Sequence, residues 1–321
     1  MTAGTGSESI GVLAVVGPTG VGKTALAVAL AGNLSLEAVS VDSRQVYRGM
    51  DLGTGKPSRA ERQALPHHLV DVVEPDEGYD AARFAREAAI AIETIRGRGR
   101  LPVLVGGTGL YYRALIRGLA PAPPADPALR RELRAEAEAH GREALHARLA
   151  ALDSPTAARL HPRDLVRVIR ALEMVILTGR PARTAPGERW QGQGAGGYRM
   201  VAVGLTMARE TLYRRLDARV DAMLDRGLLG EVAGLLARGF SADLPAMQGI
   251  GYRHLVPVVQ GKTPLADAVR AMKRDTRRYA KRQMTWFGRE EAIRWVPVDE
   301  PDPGTALREV KKVIEDTGLF H

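Results

Sequence analysis

The chain has 321 residues, of which 45% are hydrophobic and 26% charged, a composition typical of a folded globular protein. This length favours about two domains. The absence of cysteine excludes disulfide bonds and thiolate metal sites. No apolar run approaches the roughly 18 residues needed to cross a bilayer. Residues 1–9 are small and polar, unlike a signal peptide. We therefore expect a cytoplasmic protein with no membrane association.

The formal net charge of the chain is +9. Such an excess favours a polyanionic partner. The alternative is a general enrichment in arginine that implies no partner, so the placement of the charges has to decide.

The stretch Ile10–Thr24 organises the rest of the chain. It begins with an apolar run, 10–16, which is typical of a strand buried on both faces, and the residues after Thr24 favour a helix. Between them the sequence fits the phosphate-binding pattern G-x-x-x-x-G-K-[ST]. That pattern consists of Gly17, Pro18, Thr19, Gly20, Val21, Gly22, Lys23 and Thr24.

The chemistry of this pattern is the binding of a di- or triphosphate. The glycines allow successive backbone N–H groups to converge on the phosphates, and the following helix adds its free donors and the positive end of its dipole. Lys23 supplies a positive charge, and the hydroxyl of Thr24 is a candidate ligand for Mg²⁺. The loop is of the type that binds ATP, but the pattern alone leaves open whether ATP binds.

Strands and helices alternate after this first unit. Strands are predicted at 36–41, 67–73 and 101–105, and a helix at 80–95 with Asp80 as its N-cap. This alternation predicts an α/β fold: a P-loop NTPase-like core with a parallel sheet flanked by helices.

A proline-rich linker at 118–127 interrupts the core, and only helical patterns follow, at 129–139, 142–152 and 165–177. We predict an all-helical insertion domain at 121–197 between two parts of the core, 1–120 and 198–321. The second part is predicted to contain strands at 199–205 and 293–296. Its helices are predicted at 209–226, 228–238, 251–260, 265–287 and 305–316.

Asp42 directly follows the second predicted strand, where parallel-sheet enzymes place reacting groups. It is a candidate general base, a candidate holder of Mg²⁺-bound water, or a residue that caps the next turn. The position alone leaves these three roles open.

The strand at 101–105 ends in Gly106-Gly107-Thr108, whereas motor and signalling NTPases carry an acidic residue at such a position. This departure disfavours those classes. It leaves Thr108 as a hydroxyl donor to phosphate or substrate, or as the N-cap of the next helix; the two roles are compatible.

The predicted helix at 265–287 carries basic residues at helical spacing, with aromatic residues among or just after them. This arrangement suits phosphate contact and base stacking on RNA, and the alternative is a solvated helix face. The residues concerned are Lys273, Arg274, Arg277, Arg278, Lys281 and Arg282, with Tyr279, Trp286 and Phe287.

Together these segments resemble the tRNA dimethylallyltransferase family along nearly the whole chain. The matching segments are GPTGVGKT (17–24), VDSRQVYRGMDLGTGKP (41–57), PHHLVDVVEP (66–75), GGTGLYYRAL (106–115), ADPALR (125–130), LHPRDLVRVIRALE (160–173), QGIGYRH (248–254) and KRDTRRYAKRQMTWFGR (273–289). A phosphate loop alone recurs across many activities, but this combination is highly specific. The glycine-rich stretch 183–197 departs from the family pattern.

The resemblance implies transfer of a dimethylallyl group from its diphosphate to N6 of adenosine 37 in the tRNA anticodon loop. Asp42, Lys23 and Thr108 become the catalytic candidates, Arg219 joins the phosphate loop on the diphosphate, and Thr24 holds Mg²⁺. The expected tRNA contacts are Asp42, Ser43, Arg44, Gln45, Thr108, Arg130, Arg167, Arg170, Gly249, Gly251, Tyr252, Arg253, Lys273, Arg277, Arg278 and Lys281. The implied partners are the tRNA anticodon stem-loop and dimethylallyl diphosphate. The enzyme is expected to be a monomer.

Three other functions compete with this interpretation. A P-loop small-molecule kinase would use Asp42 as base for an acceptor hydroxyl. An isopentenyltransferase acting on free adenine nucleotides would need neither the insertion nor the basic helix. An RNA-binding ATP switch would bind RNA without releasing diphosphate.

Overall fold

A computed structural model describes residues 10–119, 122–182, 197–298 and 303–319. The chain divides into two compact units, Met1–Gly118 with Gln193–His321, and Leu119–Gly192. The glycine-rich stretch predicted to lie at the end of the insertion falls almost entirely outside the described residues, as does the border at 120–121.

The first unit is built on a parallel sheet. Within the described residues it has six strands in the order β3-β2-β4-β1-β5-β6, and every neighbouring pair is parallel. This confirms the predicted fold class. The strands are β1 (Ile10–Val16), β2 (Leu36–Val41), β3 (His67–His68), β4 (Leu101–Gly106), β5 (Tyr198–Thr206) and β6 (Ile293–Pro297).

The central strands consist mainly of apolar residues because both faces of the sheet are covered; Glu37 and Ser40 of β2 are buried polar exceptions. Val12 to Val16 of β1 are fully buried, and β2 and β4 are buried along their whole lengths. The register places Gly106 beside both Val16 and Val41, so β1, β2 and β4 end at the same level. The segments that follow these three strands therefore emerge side by side at one edge of the sheet.

The helices that precede the insertion follow the predicted pattern, with one addition. They are α1 (Lys23–Ala31), α2 (Arg59–Ala64), α3 (Ala81–Gly97) and α4 (Gly109–Arg117). Asp80 caps α3 as predicted, accepting the N–H groups of Ala82 and Arg83. The sequence analysis missed α2, although Ser58 and Glu61 form a capping box there, a signal that the sequence contains.

The prediction of a strand over 67–73 was wrong beyond its second residue. Strand β3 pairs with β2 only at His67 and His68. Leu69 and Asp71 then adopt φ angles of 61° and 57°, in the left-handed region, which ends extended backbone.

The second unit is helical throughout its described residues. It comprises α5 (Pro127–His140), α6 (Arg142–Leu152), the short α7 (Ser154–Ala157), which was not predicted, and α8 (Leu165–Thr178). Its core is formed by Leu133, Leu145, Leu149, Val168 and Leu172, which are at most 1% exposed. The described part of this unit therefore has its own hydrophobic core.

The chain after the insertion completes the first unit. Its helices are α9 (Arg209–Asp225), α10 (Leu228–Ala237), α11 (Tyr252–Val259), α12 (Leu265–Phe287) and α13 (Pro303–Asp316). These bounds agree closely with the predicted ones. In the part of the chain that the structure describes, we find no helix with the length and hydrophobicity of a membrane span.

Candidate active site

A cavity of about 800 Å³ lies in the first unit, next to the ends of the central strands. Its wall includes residues of the phosphate loop, of the segment after β2, of the loop at 51–57, and of helices α9 and α12. Segments that are distant in sequence thus meet around one space, which is typical of a ligand site in a parallel α/β protein.

The phosphate loop has the backbone conformation that its glycines predict. Gly17 and Gly20 have φ angles of 140° and 79°, and a Cβ at either position would lie 2.6 Å from a neighbouring atom, of Leu205 or Leu216 respectively. Gly22 precedes α1 and has no side chain to cap that helix. The first N–H groups of α1 are therefore left for a ligand, and an anion is the ligand that they favour.

Lys23 lies at the start of α1 and lines the cavity. Its Nζ donates hydrogen bonds to the carbonyl oxygens of Gly17, at 3.1 Å, and Pro18, at 2.8 Å. Burial lowers the pKa of Lys23 to about 8, opposed by the charge of Asp42 and reinforced by that of Arg219. A phosphate in the cavity would supply the counter-charge that the loop carbonyls do not.

Asp42 lies immediately after β2, as predicted, and also lines the cavity. Its Oδ1 accepts the backbone N–H groups of Arg44, at 2.8 Å, and Gln45, at 3.3 Å. Burial raises the pKa of Asp42 above its ordinary value, and these hydrogen bonds together with Lys23 only partly oppose it. Asp42 therefore caps its own turn through Oδ1. Its second oxygen, Oδ2, stays accessible because it accepts no hydrogen bond from the described residues.

Thr108 occupies the N-cap position of α4, but its side chain does not cap that helix. Its hydroxyl oxygen instead accepts the backbone N–H of Ser43 at 3.1 Å, and it lies next to the phenol of Tyr279. Thr108 thus connects the end of β4 to the turn that carries Asp42.

Gln283 is the main site residue that the sequence analysis missed. Its Oε1 accepts the N–H of Thr19 in the phosphate loop at 2.8 Å, and its Nε2 donates to the carbonyl of Gly107 at 2.8 Å. Gln283 therefore links α12 to the phosphate loop and to the segment after β4. Gln283 lies in the matching stretch at 273–289. Its partners are so distant along the chain that this stretch alone could not identify them.

Arg219 enters the cavity wall from α9. It makes no hydrogen bond or ion pair within the part of the chain that the structure describes, and burial lowers its pKa. Gly55 contacts it so closely that a Cβ there would overlap the guanidinium. The charges of Asp42 and Glu61 oppose this pKa shift, but neither carboxylate contacts the guanidinium directly, and a half-buried cation of this kind favours an anionic ligand.

The other residues predicted after β2 and around the start of α11 lie at the same cavity, except Gly251. Ser43, Arg44 and Gln45 line it, and so do Gly249, Tyr252 and Arg253. The guanidinium of Arg44 donates to the carbonyl of Pro245 at 2.5 Å, and that of Arg253 pairs with Asp275 at 2.7 Å. Gly251 adopts a φ of 98° at the start of α11.

On the basic helix α12, the set of basic side chains that are free of acidic partners differs from the set that the helical spacing predicted. Arg277 pairs with both oxygens of Asp217 at 2.6 Å, and Lys273 pairs with Asp221 at 2.6 Å; both acids belong to α9. Arg278 has a longer contact of 3.5 Å with Asp275, and Lys281 is exposed. Lys273 and Arg277 are therefore paired with α9, whereas Arg278, Lys281 and Arg282 are exposed, and Arg282 also lines the cavity.

The other predicted contacts belong to the second unit. Nε and Nη2 of Arg130 donate to the fully buried carboxylate of Glu173 at 2.8 Å, and Arg170 also pairs with it. Burial raises the pKa of Glu173, but the bonds from these arginines outweigh it and leave the pKa below its ordinary value. Arg167 is 74% exposed and contacts Asp164 at 3.3 Å.

Thr24 is the residue predicted to hold Mg²⁺, and its side chain lines the cavity without a protein hydrogen-bond partner among the described residues. No cluster of three or more His, Asp and Glu side chains suited to a metal occurs in these residues either. A single hydroxyl beside an anion-binding loop fits Mg²⁺, which takes few protein ligands and completes its shell with phosphate oxygens and water.

The fold and the cavity define a P-loop α/β protein in which the glycine-rich loop before α1 and the half-buried carboxylate of Asp42 line one cavity. The family model described as IPP transferase matches residues 45–290. A protein named tRNA dimethylallyltransferase 2, from Geotalea uraniireducens, is 50% identical over 295 residues, which cover 92% of this chain and 94% of the relative. The tRNA dimethylallyltransferase of Thermomicrobium roseum is 47% identical over 300 residues, covering 93% and 89%.

Solved structures give the same result. The full-length tRNA isopentenylpyrophosphate transferase of Bacillus halodurans has a TM-score of 0.71 at 41% identity and covers 96% of each chain. A eukaryotic dimethylallyltransferase acting on tRNA has a TM-score of 0.77 at 29% identity, covering 96% of this chain and 79% of its own. The chain belongs to the IPP transferase family.

Proposed function

We propose that the protein transfers a dimethylallyl group from dimethylallyl diphosphate to N6 of adenosine 37 in tRNA, with release of diphosphate. The observation that carries this proposal is that one cavity brings together the phosphate loop and a carboxylate with a free oxygen, Oδ2 of Asp42. Membership of the IPP transferase family and the names of the relatives support it.

Asp42 is the proposed general base. The exocyclic amine of adenine is a weak nucleophile because its lone pair is delocalised into the ring, so its proton must leave as the new bond forms. The N–H groups of Arg44 and Gln45 hold Oδ1, which leaves Oδ2 to accept that proton. The nitrogen lone pair then bonds to C1 of the allyl group while the C1–O bond breaks and its electrons stay on the diphosphate.

We propose that this negative charge is stabilised by the phosphate loop, Lys23 and Arg219. An allylic carbon tolerates positive charge, so stabilising the leaving diphosphate lowers the barrier directly. Mg²⁺ held by the Thr24 hydroxyl would supply further charge stabilisation to the diphosphate.

The acceptor base has to leave its stack to reach the cavity, as in other enzymes that modify bases. Arg44, Tyr252 and Arg253 on the cavity wall, with Arg278 and Lys281 on α12, are the proposed contacts to the anticodon stem-loop. We also propose that the enzyme acts as a monomer. A cytoplasmic location, where tRNA is modified, is part of this proposal.

The test is incubation of the full chain with unmodified tRNA, Mg²⁺ and labelled dimethylallyl diphosphate, followed by nucleoside analysis. Formation of labelled isopentenyladenosine supports the proposal. Turnover of ATP on a small acceptor without tRNA would favour the kinase alternative. RNA binding without diphosphate release would favour the switch.

A further inference from the structure

The carboxylate of Glu231, on α10, accepts hydrogen bonds from four donors that belong to two other parts of the chain. Its Oε2 accepts the backbone N–H groups of Asp51, at 2.9 Å, and Leu52, at 2.8 Å. Its Oε1 accepts the N–H of Gly53 at 3.2 Å and the phenol of Tyr252 at 2.5 Å. One side chain therefore ties the loop at 51–53 to both α10 and α11.

The loop at 51–55, which Glu231 holds through residues 51–53, forms part of the cavity wall, and Arg219 packs against this part of the wall. A Cβ at Gly53 would lie 2.5 Å from the ring of Tyr252, so the loop packs tightly on its outer side. On its inner side Gly55 contacts the Arg219 guanidinium, and its carbonyl accepts the side-chain N–H of Gln45 at 3.2 Å. A shift of this loop would therefore move the surface against which Arg219 is packed.

No hydrogen bond or ion pair to a described residue fixes the direction of Arg219, although the charges of Asp42 and Glu61 act on it from a distance. Its orientation consequently depends on packing, and the backbone of Gly55 supplies that packing. Removing the charge of Glu231 would weaken the bonds to three backbone donors at once, because N–H groups bind a carboxylate more strongly than a neutral amide.

We propose that Glu231 is a positioning residue of the diphosphate site: it holds the loop at 51–55 so that Arg219 points into the cavity. This inference rests on the proposed function, in which Arg219 binds the diphosphate of the donor. Glu231 acts through the loop and through Arg219, and it touches neither substrate.

The test measures binding of inorganic diphosphate, with Mg²⁺, to the full chain by calorimetry. The variants are Glu231→Gln, Arg219→Gln and the two combined. Each single change is expected to weaken binding, Glu231→Gln by roughly 10- to 100-fold, because a small displacement of a positioned group has effects of this size. In the Arg219→Gln protein, whose phosphate loop still binds the probe, Glu231→Gln is expected to have little further effect.

The matched control is Glu74→Gln. Glu74 also pairs with arginines, Arg48 and Arg238, but neither of them lines the cavity. This variant is expected to bind diphosphate like the wild type. Tyr252→Phe removes one of the four donors and is expected to weaken binding in the same direction but less, which keeps the test valid if Glu231→Gln folds poorly.

Wild-type affinity in both Glu231→Gln and Tyr252→Phe, or fully additive losses in the combined variant, would overturn the inference. These results differ from failure of the proposed function. If the wild type prenylates tRNA and the variants bind diphosphate normally, only the positioning role is wrong. If the variants show the expected coupling but the wild type transfers no prenyl group, only the proposed function is wrong.

Discussion

Oδ1 of Asp42 accepts the backbone N–H of Arg44 at 2.8 Å, and this bond determines which oxygen of the carboxylate is available for chemistry. A residue that caps its own turn is held in one orientation by the backbone. The same turn thus fixes the proposed base and leaves its second oxygen at the cavity wall.

Asp42→Asn tests this assignment most simply, because an amide keeps the shape of the side chain and its bond to Arg44 but cannot accept the proton. We expect transfer to fall by roughly 10²–10⁴-fold, the usual contribution of a general base. Diphosphate binding, measured by calorimetry, is expected to persist. Near-normal turnover of the variant would remove Asp42 from this role.

The pH dependence of kcat/KM for the donor should show two limbs, because this parameter reports the free enzyme. Activity rises as Asp42 loses its proton, and burial places that limb above the ordinary pKa of 3.8. Activity falls as Lys23 loses its charge, with a midpoint near the pKa of about 8 rather than at 10.5. An alkaline limb absent up to pH 10 would contradict the environment assigned to Lys23.

Gln283→Glu should weaken donor binding. The carboxylate still accepts the N–H of Thr19 but can no longer donate to the carbonyl of Gly107, and it brings negative charge to the phosphate loop. We expect the KM for dimethylallyl diphosphate to rise by roughly tenfold or more, because leaving the buried carbonyl of Gly107 unpaired costs about 1–3 kcal/mol. An unchanged KM would show that this bridge is not needed.

The charges of α12 lead to a prediction about salt. Replacing Arg278 and Lys281 together by Ala should weaken tRNA binding and lower the slope of log K against log salt by about 1–2, since each lost phosphate contact removes about 0.7–0.9.

The matched variant removes a neutral pair, Lys273→Ala with Asp221→Ala, and is expected to keep the wild-type slope because Lys273 is already paired. Equal slopes in the wild type and in Arg278→Ala/Lys281→Ala would place the RNA contact elsewhere.

Sequence reasoning succeeded where the controlling interactions are local. The strand, glycine loop and helix at 10–31 follow from apolar periodicity and glycine conformation, and Asp80 caps α3 through N–H groups only two and three residues away. The position of Asp42 at the end of β2 follows from the same pattern. Thr108 and the basic residues of α12 also came from position and spacing, whereas the other site residues came from the family resemblance.

Sequence reasoning failed where partners are distant along the chain. Arg277 and Asp217 are separated by 60 residues, so the spacing of basic residues on α12 could not show that two of the six predicted cations pair with acids of α9. Gln283 and Thr19 are 264 residues apart. The end of β3 was missed for a different reason. Leu69 and Asp71 adopt positive φ angles, and since neither is a glycine, the sequence does not indicate this conformation.

The most direct measurement is the fate of the label when wild-type and Asp42→Asn proteins are each incubated with unmodified tRNA, Mg²⁺ and labelled dimethylallyl diphosphate. We expect labelled isopentenyladenosine with the wild type and almost none with Asp42→Asn, although both proteins bind diphosphate. Unlabelled tRNA after incubation with a folded wild type that binds diphosphate, or equal labelling by both proteins, would contradict this expectation.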